Sequence, residues 1–379
     1  VSQQPFGDIP LFRELQKLLS TDQGPINKEL ALQVATAIAA EGPADGRPDA
    51  GAIREFGLAV HSAEMLLAGY TRLQSQEPAQ TEVLRRSDWV PATLSSWMWV
   101  LELLSTRFTS AAQGLGDGEA SMPGAEAIIG QLAPLLLGLQ VGTLLGHLSL
   151  ESLGRYDLPI PRDDAGKLFL VDANAAGIAT DYGFEISQFR AWLALREASR
   201  HLIGAGAPWV ERYRKSLLAT LVESIEIDTG DLERRIIEMQ SGGMEGLQEG
   251  FGGDQSFPIA TTEAHSAALA RLQSFNAVFE GYAAHAVSEV GPQMVPTLSR
   301  IDEGMARFAA SPSEGKAALS ALLGIGSDRS LQHSGATFAA AVVKLRGIED
   351  LNRVWEAPDN LPTLSEVKDP FTWMERVLD

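Results

Sequence analysis

At 379 residues the chain exceeds the length at which a single hydrophobic core stops growing, so two subdomains, or one helical domain wrapped around another, are expected. Apolar residues make up 45% and charged residues 21%, a globular balance rather than a disordered one. Acidic residues outnumber basic ones 49 to 30, and the formal net charge of −19 disfavours binding to nucleic acid and to anionic membrane surfaces. With no cysteine, disulfides and thiolate metal sites are excluded, and any metal would need His, Asp, Glu or water. Zero cysteine fits a reducing cytoplasm, and no basic segment followed by an apolar one opens the sequence to argue for secretion.

From Ile26 to Arg107 apolar residues recur at three- and four-residue spacing, as in Leu30, Val34 and Ile38, and this half is expected to be helical. Gly- and Pro-bearing stretches at Ala44 to Asp49 and Gly114 to Gly124 punctuate it as loops. Leu132 to Leu150 is the most apolar run, but Pro134, Gln140 and His147 interrupt it, so it reads as a buried helix and not a membrane span. Gly138, Gly142 and Gly146 fall on one face of that helix, where another backbone can approach closely. Gly154 to Pro161 is too rich in proline for a helix and reads as an ordered extended segment.

Lys167 to Asp172 reads as one strand of a small sheet. Ser187 is placed as the cap of a helix reaching Ile203, and a further helical block spans Val210 to Met239. The glycine-rich stretch Ser241 to Gly253 reads as a linker. Helical spacing returns at Glu263 to Val290, Val295 to Ala310 and Lys316 to Leu323, and the chain ends in irregular structure with a short helix near Phe371. The expected fold class is mostly α with a small β-sheet. Its regions would be an N-terminal helical part over 1–125, a core over 126–310 and a C-terminal segment over 311–379 packing on that core.

The informative stretch runs from Trp192 through Arg196-Glu197-Ala198-Ser199-Arg200 to His201, on the helix after the strand. A zinc hydrolase uses His-Glu-x-x-His because residues four apart share a helix face, so both imidazoles reach one metal while the glutamate polarises water. Here both histidine positions are arginine. Taken alone, Arg-Glu-Ala-Ser-Arg is a common pattern for a solvated helix face.

The chain resembles the zincin-like metallopeptidases, a family many of whose members are described as hydrolases or as associated with coenzyme F420 biosynthesis. The resemblance rests on Gly138 to Gly142 with Leu145-Gly146, on Leu153 to Pro161, on the strand and Asn174, and on Phe189 to His201 with Pro208-Trp209. It continues through Phe279-Glu280-Gly281-Tyr282 to His285, Leu322-Leu323-Gly324, and Val354-Trp355 to Pro370. It implies a zincin-like core with additional helices. In the family the central helix usually reads His-Glu-Leu-Thr-His-His. The resemblance therefore places Glu197 as a relic general base, Arg196 and Arg200 at the ligand positions, and Glu280 at the third ligand position.

Arginine offers a metal no lone pair, so no cofactor is expected where the family would hold zinc. Glu197 and Glu280 are expected to pair with Arg196 and Arg200, replacing coordination by charge-assisted hydrogen bonds. The function implied is that of a catalytically inactive family member that binds a peptide, a protein or a small molecule. The alternatives are a relocated metal site built from His201, His285 and Glu280, and metal-free hydrolysis with Glu197 as base. His61, His147, His265 and His333 are isolated, and Trp97, Trp99 and Trp192 read as packing residues.

Overall fold

The computed structural model describes residues 24–116, 125–163, 166–227, 259–260, 262–323 and 329–379. Helix dominates, as the periodicity requires. The N-terminal half contributes α1 (Lys28–Glu41), α2 (Ala50–Thr71), α3 (Arg86–Gly116) and α4 (Ala125–Glu151). Centrally come α5 (Asp172–Asp181), α6 (Ile186–Gly206), α7 (Trp209–Glu223) and the long α8 (Glu263–Val290). Then follow α9 (Leu298–Ala310), α10 (Glu314–Leu323), α11 (Arg329–Arg346) and three short C-terminal helices, the last at Pro370–Val377. The helix over 329–346 has no counterpart in the sequence reading.

The glycine face of α4 receives α1. A Cβ on Gly142 would lie 2.7 Å from the Ala31 carbonyl oxygen, and one on Gly138 would lie 2.6 Å from that of Asn27. The two helices touch backbone to backbone, and the Asn27 amide donates to the Pro134 carbonyl at 2.9 Å. That carbonyl therefore gains a partner from outside its own helix. Among the described residues no helix is long and apolar enough to cross a membrane.

The expected strand is β2 (Leu168–Val171), and all four of its residues are buried. It pairs in parallel with β1 (Thr81–Leu84), inside the stretch that reads as helical by spacing, in register Thr81 with Leu168 through Leu84 with Val171. Four residues are too few for period-two alternation to show against the surrounding helices. On the other edge of β2, Gly154 bridges Leu170, and the Val171 amide donates to the Leu153 carbonyl at 2.9 Å. Only the start of the segment after α4, at Leu153 and Gly154, is thus held along the sheet; residues 155–160 turn and bend, where the sequence reading expected an extended run. A second small sheet pairs β3 (Glu226–Ile227) with β4 (Ile259–Ala260). The stretches 228–258 and 117–124, which include the expected linker, lie outside the described residues.

Two hydrophobic clusters hold these elements. One gathers α1, α3, α4, α7, most of α8 and the C-terminal helices, from Ile26 to Met374. The other joins α2, β2, α5, α6, the end of α8 and α9, from Phe56 to Ile301. Helix α6 lies between them and buries residues on nearly every side, which decides how its charged residues must be satisfied.

Candidate functional site

Helix α6 begins one residue before the serine that the sequence points to. The Glu185 carboxylate is the cap, accepting the amides of Ser187 at 3.1 Å and Gln188 at 2.9 Å. An anion at a helix N-terminus satisfies amides that have no partner within the helix and complements the helix dipole. The helix then carries Trp192, Arg196 and Arg200 at four-residue spacing, with Glu197 about 100° round.

This is not a solvated face. Glu197 is 2% exposed and Arg200 is 6% exposed. Arg200 closes on Glu280 of α8, with Nε 2.9 Å from Oε1 and Nη2 2.5 Å from Oε2. The remaining Nη1 donates to the Arg196 carbonyl at 2.8 Å. Two parallel N–H···O bonds between a guanidinium and a carboxylate are the strong, geometrically specific form of ion pair. Burial works against both charges, but the attraction between them prevails: the Glu280 carboxyl is held below its usual range and the Arg200 guanidinium above its own.

The expected pairing of Glu197 with an arginine does not form. Its carboxylate instead accepts backbone amides of the turn that follows Gly154, from Arg155 at 2.7 Å and Tyr156 at 3.3 Å. Next to it, Asp157 Oδ2 accepts the amides of Leu153 at 2.5 Å and Gly154 at 2.8 Å. Two carboxylates thus share four successive amides. A Cβ on Gly154 would lie 2.5 Å from the Glu197 Cδ, so the absence of a side chain there permits the approach. Burial, then the nearby Asp157 charge, push the Glu197 carboxyl up to about 8 despite the amides and Arg200.

Arg196 is the member of the motif left without a carboxylate. Among the described residues its side chain makes no hydrogen bond, and its guanidinium lies over the Trp192 ring, 4.7 Å from the centroid. Trp192 Nε1 donates to Asp302 of α9 at 2.7 Å, fixing the ring beneath the cation. Burial and the neighbouring Arg200 charge lower the Arg196 pKa from the usual arginine value. Arg196, Arg200, Glu280, Ala283, Val287 and Asp302 are among the residues lining a cleft of about 210 Å³ between α6, α8 and α9.

The histidines do not join this group. His285 is buried, with Nε2 2.8 Å from the Tyr70 hydroxyl. His201 is half-buried, and burial lowers the pKa of both rings. Among the described residues no three His, Asp or Glu side chains come together to hold a metal, so His201, His285 and Glu280 do not form the relocated site. His147 contacts Glu314 and His265 contacts Ser224, while His61 and His333 are exposed.

Sequence reasoning missed two participants. The seating of Arg196 on Trp192 was signalled by their four-residue spacing. Asp302 has no signal, since its role depends on α9 crossing a helix that lies 110 positions away in the chain.

Residues 26–374 match the profile of the zincin-like metallopeptidases, and the chain belongs to that family. It is similar to a solved structure from Chloroflexus aurantiacus described as "a putative hydrolase with a novel fold". The two share 25% identity at a TM-score of 0.63, over 93% of this chain and 98% of that one. No curated protein matches the chain.

The donor set does not fit the zinc the family implies. Guanidinium groups at the two positions that the family resemblance assigns to ligands offer no lone pair, and both oxygens of Glu280 already accept from Arg200.

Proposed function

We propose that this chain is a zincin-family protein in which an ion pair has replaced metal coordination, and that its function is binding rather than zinc-dependent hydrolysis. The observation that carries this reading is the Arg200–Glu280 pair. Arg200, which the family resemblance puts at a ligand position, takes up Glu280, the best match for the third ligand, through two hydrogen bonds. The glutamate that would polarise water supports the same reading, because Glu197 is engaged by backbone amides and does not line the cleft. Metal-free hydrolysis would require Glu197 to reach a substrate proton within about 3 Å, and its two oxygens face the Arg155 and Tyr156 amides instead. The similar hydrolase-described structure leaves an enzymatic ancestry open to this fold, and the cleft beside the ion pair remains as the surface for a ligand.

The test is metal content by elemental mass spectrometry, on protein purified without chelator and on an Arg196→His/Arg200→His double variant. The expected result is a parent without zinc and a variant with about one zinc per chain, since restored imidazoles and a freed Glu280 supply three ligands. Stoichiometric zinc in the parent would overturn the proposal.

A further inference from the structure

The cleft is built to hold charge of one kind at one place. Arg200 is saturated by Glu280 and the Arg196 carbonyl, whereas Arg196 presents guanidinium N–H groups that no described residue accepts. Its position is fixed without a counter-ion, by the Trp192 ring that Asp302 in turn anchors. A guanidinium whose carbon sits over an aromatic ring still has N–H groups to offer a bidentate acceptor. Beside it, Ala283 and Val287 give the wall a short aliphatic strip.

Size and charge then narrow the ligand. A volume of about 210 Å³ lies below the roughly 300–1,000 Å³ of sites for drug-sized molecules, so the cleft takes an end group and not a whole extended ligand. Arg200 is already paired with Glu280, so among the described lining residues a second anionic group on the same ligand would find no further free cation and would meet Asp302. Phosphates and dicarboxylates are thereby disfavoured.

We infer that Arg196 is the anchor of a monocarboxylate site, which takes a terminal carboxylate borne on a small aliphatic group, at the end of a peptide or on a small free acid. This deepens the binding role proposed above and rests on it for the assumption that the cleft works as a binding surface. It does not depend on the metal content.

The experiment is isothermal titration of the wild-type protein with N-acetyl-alanine and trialanine, each compared with its own C-terminal amide. The acids are expected to bind about tenfold or more tightly than the amides, because only the acid forms a charge-assisted pair with Arg196. Arg196→Gln, with its circular dichroism checked against wild type, is expected to remove the preference for acid over amide. Whichever acid binds more tightly names the source, free or peptide-borne. Equal binding of acid and amide by the wild-type protein overturns the site, as does a preference that survives in Arg196→Gln. Succinate or phosphate binding as tightly as the monocarboxylates would overturn the charge selectivity. Zinc in the parent alongside an intact acid preference would sink the proposed function and leave this site standing; a zinc-free parent that binds acid and amide alike would do the reverse.

Discussion

The Arg200–Glu280 pair can be weighed by removing each partner separately and then both. Arg200→Met leaves the Glu280 carboxylate without its guanidinium, and loss of one partner of a buried pair costs about 3–5 kcal/mol. The Glu280 side chain is 29% exposed against 7% for Arg200, so water partly compensates the orphaned carboxylate, and this variant belongs near about 3 kcal/mol. Glu280→Met leaves the more deeply buried guanidinium unpaired and belongs near the upper end, about 5 kcal/mol. The double variant removes both charges and puts two flexible apolar side chains in their place, so its cost is expected to fall below the sum of the singles by about 2–3 kcal/mol. Urea unfolding at pH 7 reads all four proteins, provided the dependence on denaturant is unchanged across the set. Singles that add to within about 0.5 kcal/mol would refute the idea that the two charges satisfy one another. The pair also has a defined pH range. Because the Glu280 pKa is depressed, the stability it supplies is present above the ordinary carboxylate value and is lost as pH falls through the depressed one.

Two further outcomes follow, one from the burial of Glu197 and one from helix packing elsewhere in the fold. Glu197 has the opposite sign: its carboxyl is raised from 4.5 to about 8, so its favourable contribution is full below 4.5 and is lost as pH rises to about 8. Unfolding midpoints at pH 5 and pH 8 should show this loss in the wild type and a smaller one in Glu197→Gln; an unchanged slope in the variant would contradict the assignment. Gly142→Ala places a Cβ 2.7 Å from the Ala31 carbonyl and should cost about 1–3 kcal/mol through forced separation of α1 and α4. Gly177→Ala, in open space within α5, should be neutral or stabilising by up to about 1 kcal/mol. Equal melting temperatures for the two variants would remove the argument for backbone contact between α1 and α4.

Much of the fold was legible in residue order because its determinants are local. The spacing of apolar side chains placed most of the helices, the one over 329–346 excepted, the spacing of Gly138, Gly142 and Gly146 marked the face that receives α1, and proline kept the segment before β2 out of a helix. Strand β1 was hidden because four residues within a helical stretch acquire their identity only by pairing with Leu168–Val171. Capping by Glu185 instead of Ser187 is a two-residue shift at a helix end, where several polar residues compete for the same amides.

The sequence by itself determined that Arg196 and Arg200 stand four apart on one helix face, where a zinc hydrolase carries histidines, since residue type and helical spacing need no third dimension; Glu280 was joined to them by the family resemblance alone. Only the tertiary structure decided how those charges are divided. Buried charges must be satisfied by whatever lies nearest, and the packing of α6 against α8, α9 and the turn after Gly154 sets what is nearest. They give Glu280 to Arg200, backbone amides to Glu197, and the face of Trp192 to Arg196.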